Sequence, residues 1–210
     1  MRLLAYLLFM FSRVYNRVYG YIYSFGLGYR GKRVVLHRPA QCSNPKNLLM
    51  YDDTSLMKGW YLVASTGKLI MKEHSSAACG LVAITGNHHR KVGVKLLETT
   101  RARIGDIESD IVIEEEVWVG ANVTLLPGVT IGRGSTISAG SVISHSIPPY
   151  AIVKGNPAKV VGFTFTPDEI IEHEIALYPE ENRLSKDLIE KNYEKYLLRR
   201  TKDIKEYTKI

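Results

Sequence analysis

Between Ile111 and Ser146 the apolar positions of this chain recur every six residues. Written in sixes, the stretch reads IVIEEE, VWVGAN, VTLLPG, VTIGRG, STISAG, SVISHS. The third place is always a branched aliphatic: Ile113, Val119, Leu125, Ile131, Ile137, Ile143. The first place runs Ile111, Val117, Val123, Val129, Ser135, Ser141. Six matches neither the 3.6-residue period of a helix nor the two-residue period of an ordinary strand. It predicts short strands, each ending in a turn, whose coils stack into a parallel β-helix with the third-place aliphatics inside. Six residues make one side of a triangular coil. Three sides complete a turn, and successive turns rise about 4.8 Å. Gly120, Gly132, Ser138 and Gly140 are expected where the chain bends or takes unusual dihedrals.

Outside this stretch the pattern loosens. From about Gly31 to Asn87, short apolar runs (VVLH, NLLMY, WYLVAS, GKLIMK, GLVAITG) alternate with Asn, Pro, Asp, Ser and Gly. They predict earlier coils of the same β-helix with imperfect hexads. Residues 89–110 lack any period and carry Lys91, Lys95, Glu98, Arg101 and Arg103. A loop this long inside a compact repeat is commonly functional. The period then changes after AIVKGNPAKVVGF. Thr166-Pro167-Asp168-Glu169 reads as a capped helix start, followed by Ile170, Ile171, Ile175 and Leu177 and stopped by Pro179. A second helix is predicted from Ser185 through Leu188, Ile189, Tyr193, Tyr196 and Leu197, its charges forming a solvated face. The expected organisation is an amino-terminal extension (1–30), a β-helix (31–162) with an excursion loop (89–110), and a helical extension (163–210).

At the amino terminus, Leu3, Leu4, Leu7, Leu8, Phe11, Val14, Tyr15 and Val18 recur at three- and four-residue steps, an apolar helical stripe with Arg2, Arg13 and Arg17 off it. The uninterrupted apolar run, Leu3 to Phe11, is far short of the ~20 residues a span needs. No small-residue cleavage site follows it, so it does not read as a signal peptide. Two readings stay open. The helix packs on the body or on a neighbouring subunit, or residues 1–24 lie in the interface of an anionic membrane with Tyr6, Tyr15, Tyr19, Tyr21 and Tyr23 near the headgroups.

Charge sharpens this. The net charge is +7, yet Met1 to Tyr51 holds eight basic residues and no acidic one. Membrane lipid, an acidic glycan precursor or nucleic acid would each satisfy such a segment; nucleic acid is not the expected partner. The hydrophobic share of 45% and the charged share of 23% place the chain among folded globular proteins. Cys42 and Cys79 cannot make a disulfide framework. They read as small buried residues in a reducing compartment, which places the protein in the cytoplasm or peripherally at the inner face of its membrane.

The run DIVIEEEVWVGANVTLLPGVTIGRGSTISAGSVISHSIPPYAIVKGNPAKVV resembles the carboxy-terminal coils of the hexapeptide-repeat acyltransferases, and within them the sugar O-acetyltransferases of the maltose and galactoside type. The resemblance is close over residues 110–162 and looser over 48–90. It implies a left-handed parallel β-helix, a homotrimer with active sites in the grooves between subunits, acetyl-CoA as co-substrate, and a sugar or polysaccharide precursor as acceptor. Thr85-Gly86-Asn87-His88-His89-Arg90 resembles the family segment that ends in a catalytic histidine, and register with Thr-Gly-x-His selects His88, with His89 as the alternative. The chemistry asks for such a residue. An alcohol attacks a thioester poorly unless its proton is removed as the bond forms, and an imidazole suits that task.

The same resemblance assigns Trp118 to the border of the CoA groove. It assigns the Ala121 backbone N–H to the thioester oxygen, where a fixed donor stabilises a developing oxyanion. Ala139, Ser144 and His145 fall along the pantetheine arm, His145 standing where lysine is common. Lys159 falls near the CoA phosphates. Asn87, Asp52 and Asp53 are candidates for acceptor hydroxyls. The expected reaction is direct transfer in a ternary complex, with no metal and no covalent intermediate. N-acyl transfer to an amino-sugar or an amino-acid-like acceptor is the alternative. A zinc lyase needs three converging imidazoles, and a non-catalytic scaffold needs none.

Overall fold

The computed structural model describes residues 1–103 and 105–198. Three sheets form the faces of a triangular prism. The first face stacks Tyr29–Arg30, Leu48–Met50, Leu69–Met71, Ile111–Ile113 and Thr130–Ile131 in parallel. The second stacks Val35–Leu36, Ser55–Leu56, Ser76–Ala77, Trp118–Val119, Thr136–Ile137 and Ala151–Lys154, and Lys159–Phe163 joins its end antiparallel. The third stacks Gln41–Cys42, Tyr61–Val63, Val82–Ile84, Thr124–Leu125 and Val142–Ile143. Sequence neighbours thus lie on different faces, and residues about one coil apart pair, as a β-helix requires.

Each face sends one ladder of side chains inward. On the first, Met50, Met71, Ile113 and Ile131 are in register. On the second the ladder is Leu36, Leu56, Ala77, Val119, Ile137 and Val153. On the third it is Cys42, Leu62, Ala83, Leu125 and Ile143. All but the half-buried Cys42 are buried. The first-place residues Ile111, Val117, Val123, Val129, Ser135 and Ser141 are buried too, filling the corners of the triangle. The buried serines are satisfied by the backbone: Ser135 Oγ donates to Pro148 O and Ser141 Oγ to Ser138 O. A small polar group at a corner therefore costs little. The irregular runs of residues 31–87 are coils of this prism, as the sequence predicted.

The turns depart from expectation in one respect. The left-handed conformation occupies the sixth place of successive hexads, at Glu116, Asn122, Gly128, Gly134 and Gly140. Gly120 is required for another reason: a Cβ there would lie 2.6 Å from the backbone nitrogen of Ala139 in the next coil. Cys79 is a correction, because it lies exposed at a turn and not in the core.

Four helices complete the described chain. Helix α1 (Arg2–Tyr23) precedes the prism. Helix α2 (Leu96–Ala102) lies within the excursion, where seven residues are too few to display a period. Helix α3 (Pro167–Leu177) carries the predicted capping box between Thr166 and Glu169. Helix α4 (Lys186–Tyr193) starts from a Ser185 cap and continues as a wider turn, Glu194–Leu198. The last two close the end of the prism. Glu174 of α3 is only 1% exposed, yet it accepts hydrogen bonds from Arg133 Nη1 (3.1 Å), the Leu184 N–H (2.9 Å) and the Tyr150 hydroxyl. Arg133 also donates to Glu115 (3.2 Å) and stacks its guanidinium 3.8 Å from the Tyr178 ring centroid. Burial, reinforced by Glu174, pushes the Tyr150 phenol far above its ordinary range, so it acts only as a donor here.

Candidate active site

The three edges of the prism sort the candidate residues. Asp52 and Asp53 lie on the edge between the first and second faces. Ala121 and Ala139 lie on the edge between the second and third. Asn87, His88, His89, Ser144 and His145 lie on the edge between the third face and the first. The excursion leaves from this last edge after Val82–Ile84, and Ser144 follows Val142–Ile143 two coils further along it, about 10 Å at one strand spacing per coil.

The excursion begins and ends as a short antiparallel pair, Gly86–Asn87 against Ile107–Glu108. That pairing brings Asp106 back beside the two histidines. His88 Nδ1 lies 3.0 Å from one carboxylate oxygen of Asp106, and the His89 backbone N–H donates to the other at 3.0 Å. These two bonds, the backbone one foremost, hold the Asp106 carboxyl below its ordinary range and keep it ionised. An ionised carboxylate can only accept, so Nδ1 carries a proton, and in the neutral form of the ring Nε2 holds the lone pair. The His88 side chain is 56% exposed, which leaves that nitrogen accessible. Among the described residues the His89 ring has no such partner; its Cδ2 lies 3.1 Å from where a Cβ on Gly105, in the return limb, would lie.

Two residues beyond Asp106, Glu108 anchors the excursion. Its carboxylate accepts from the backbone N–H groups of Ser65, Thr66 and Gly67 at 2.8, 2.8 and 2.7 Å, and from Thr85 Oγ1 at 2.9 Å. Burial pushes this carboxyl up, but the four donors outweigh it and hold it below the ordinary value. Asp110 accepts from the Lys68 N–H at 2.8 Å, and Arg103 donates to Ser65 Oγ.

On the other elements, Trp118 stands on the outer side of the second face, 49% exposed between the small neighbours Ser76 and Thr136. Ala121 opens the turn that Asn122 completes in the left-handed conformation, and among the described residues its N–H donates to no protein acceptor. Ser144 Oγ and His145 Nδ1 lie 3.0 Å apart. Lys159 opens the antiparallel strand and sits directly across from Lys154. Asp52 accepts from the Lys32 N–H at 2.9 Å, and Asp53, itself in a left-handed conformation, pairs with the Arg33 guanidinium. One chain therefore gathers Asn87, His88, Ser144 and His145 on a single edge. It leaves Trp118, Ala121, Ala139, Asp52 and Asp53 on other sides of the prism. Sequence reasoning missed Asp106, Glu108 and Lys154. Nothing near His88 in the sequence points to a carboxylate 18 positions later, whereas Lys154 was signalled by the turn GNP between two lysine-bearing strands. Among the described residues, no group of three or more His, Cys, Asp or Glu side chains could hold a metal ion.

Residues 110–145 match the bacterial transferase hexapeptide (six repeats) family. The chain is 46% identical over 63 residues to a probable macrolide acetyltransferase of Lysinibacillus sphaericus, a match covering 30% of this chain and 35% of that protein. The matched stretch spans about a third of the length of the curated relatives. Among solved structures, it superposes on a maltose O-acetyltransferase of Clostridium difficile 630 with a TM-score of 0.57 at 23% identity, over 68% of this chain and 72% of that one. An N-acyltransferase of Bacillus cereus, solved with dTDP and coenzyme A, gives a TM-score of 0.55 at 14% identity, over 72% of this chain and 92% of that one. Residues 110–145 therefore carry hexapeptide repeats, and the fold is the left-handed parallel β-helix. That fold is similar to those of solved maltose and galactoside acetyltransferases.

Proposed function

We propose that the protein transfers an acetyl group from acetyl-CoA to a hydroxyl of a sugar or polysaccharide precursor, with His88 as general base. The observation that carries this reading is the His88–Asp106 pair, an exposed imidazole whose Nδ1 is hydrogen-bonded to a carboxylate. In the reaction, His88 Nε2 takes the acceptor hydroxyl proton while that oxygen bonds to the thioester carbonyl carbon. The Ala121 N–H, which donates to no protein acceptor among the described residues, faces the developing oxyanion. The C–S bond then breaks, and the CoA sulfur recovers the proton from the imidazolium. No covalent enzyme intermediate forms.

Because His88 and the Trp118, Ala121 and Asp53 positions lie on different sides of one prism, the proposed unit is a homotrimer whose sites form between neighbours. Trp118 borders the CoA groove, with Ala139, Ser144 and His145 along the pantetheine arm. Lys159 meets the phosphates together with Lys154, since two lysines directly across a strand pair repel unless an anion sits between them. Asn87, Asp52 and Asp53 serve the acceptor hydroxyls. The protein works in the cytoplasm, where acyl-CoA is supplied.

The test is release of free CoA thiol from acetyl-CoA by the purified full chain across panels of hydroxyl and amine acceptors. Turnover with a sugar alcohol, lost in His88→Ala, supports the reading. Turnover confined to amines moves the protein to N-acyl transfer. Turnover unchanged in His88→Ala and in Asp106→Ala rejects the assigned base.

A further inference from the structure

Helix α1 leaves the prism with its apolar side uncovered. Its root is fixed by Gly20, where a Cβ would lie 1.5 Å from the carbonyl oxygen of Leu36, and by Tyr23, whose ring meets that of buried Trp60 at 6.4 Å between centroids. At about 100° per residue, the side of the helix facing the body at Gly20 is the side that carries Arg2 and Arg13. The opposite side carries Leu4, Leu7, Phe11, Val14, Val18 and Ile22, which are between 52% and 70% exposed. The stripe cannot rotate onto its own chain without breaking the Gly20 contact. The expectation that the helix packs on the body therefore holds only for its last turn.

We propose that this stripe docks on an anionic lipid bilayer, lying in the plane of the headgroup–acyl boundary. The charge around it selects this occupant. Residues 1–51 contain eight basic side chains and no acidic one. Arg30 stacks on the Tyr21 and Phe25 rings, and Arg38 stacks on Tyr19, so cations also surround the helix root. A second copy of the same segment carries the same eight basic side chains and no acidic one to answer them, so net repulsion opposes the association of two such segments. An anionic headgroup layer attracts the whole basic segment, and the stem of Arg17, on the flank of the helix, can reach it while the apolar side chains enter the acyl region. Exposed Tyr6, Tyr15 and Tyr21 suit the same boundary. The helix lies on the bilayer and does not cross it, because no helix among the described residues is long and apolar enough to span. This inference stands independently of the acyl-transfer reading.

Sedimentation of the full chain with vesicles tests it. The protein pellets with phosphatidylcholine–phosphatidylglycerol vesicles and stays in solution with phosphatidylcholine alone. Replacing Arg13 and Arg17 by Gln weakens binding roughly thirtyfold, and the Leu7→Ser/Phe11→Ser pair weakens it more than about a hundredfold. A Phe11→Trp reporter blue-shifts only with the anionic vesicles. All these positions are exposed, so an unchanged melting temperature of the prism accompanies each variant. The proposal is overturned by a full chain that stays in solution with anionic vesicles. It is equally overturned if the Leu7→Ser/Phe11→Ser pair reduces the oligomer in light scattering while pelleting stays the same, which would make the stripe a protein interface.

Discussion

Two adjacent imidazoles are alike in sequence, but Asp106 bonds to them differently. Its carboxylate accepts a hydrogen bond from the Nδ1–H of His88 but only from the backbone N–H of His89. His88→Ala is expected to lower kcat about 10²–10⁴-fold, the usual worth of a positioned base, while His89→Ala stays within a few-fold in the same thiol-release assay. Asp106→Asn retains the shape but can offer an N–H where the carboxylate accepted, which favours the wrong tautomer. It should depress kcat far more than KM and alter the pH–rate profile. A residue that merely holds the loop would leave that profile unmoved.

The excursion and the carboxy-terminal helices are both fastened by buried or half-buried carboxylates, and the two differ in what they hold. Glu108 joins the return limb to the Ser65–Gly67 turn through three backbone donors. Its folded-state carboxyl titrates below the unfolded value of about 4.3. Its contribution is therefore complete above that unfolded value and is lost as pH falls through the depressed folded one. Limited proteolysis of the 88–110 segment should rise as the medium is acidified through that range, and Glu108→Gln should flatten the dependence. At the far end, Arg133 compensates the buried Glu174. Arg133→Ala leaves that carboxylate unpaired and should cost about 3 kcal/mol in denaturant unfolding. Arg133→Ala paired with Glu174→Leu should recover part of the loss. The prism has no comparable single fastening: Ile131→Ala removes one rung from a continuous ladder and should cost about 2–5 kcal/mol as an ordinary core cavity.

For the molecule as a whole, the decisive feature is the separation of candidate residues onto three edges. If sites form between copies, a trimer that mixes His88→Ala with Trp118→Ala chains contains interfaces that pair one intact histidine with one intact tryptophan. Refolding the two inactive variants together should restore activity at about a quarter of the interfaces. Separate refolding followed by mixing should restore none while the trimers stay intact. Recovery that fails after verified mixing would place each site within one chain.

The stacked coils were legible because burial inside a prism imposes its own period: every sixth residue faces the axis, and Ile113, Val119, Leu125, Ile131, Ile137 and Ile143 are buried for that reason. The capping box at Thr166 and the stop near Pro179 were legible as local chemistry. The short helix inside the excursion, the exposed Cys79 and the left-handed turns at non-glycine residues such as Asp53 and Glu116 were not, because each depends on the coil above or below. What the sequence alone determined was the repeat and the position of the histidines where the repeat breaks. Only the tertiary structure shows which of those histidines pairs its ring with a carboxylate and leaves the apolar side of α1 uncovered. Both outcomes come from contacts between distant segments, Asp106 folding back on His88 and Gly20 seating on Leu36, and no local periodicity encodes a contact of that kind.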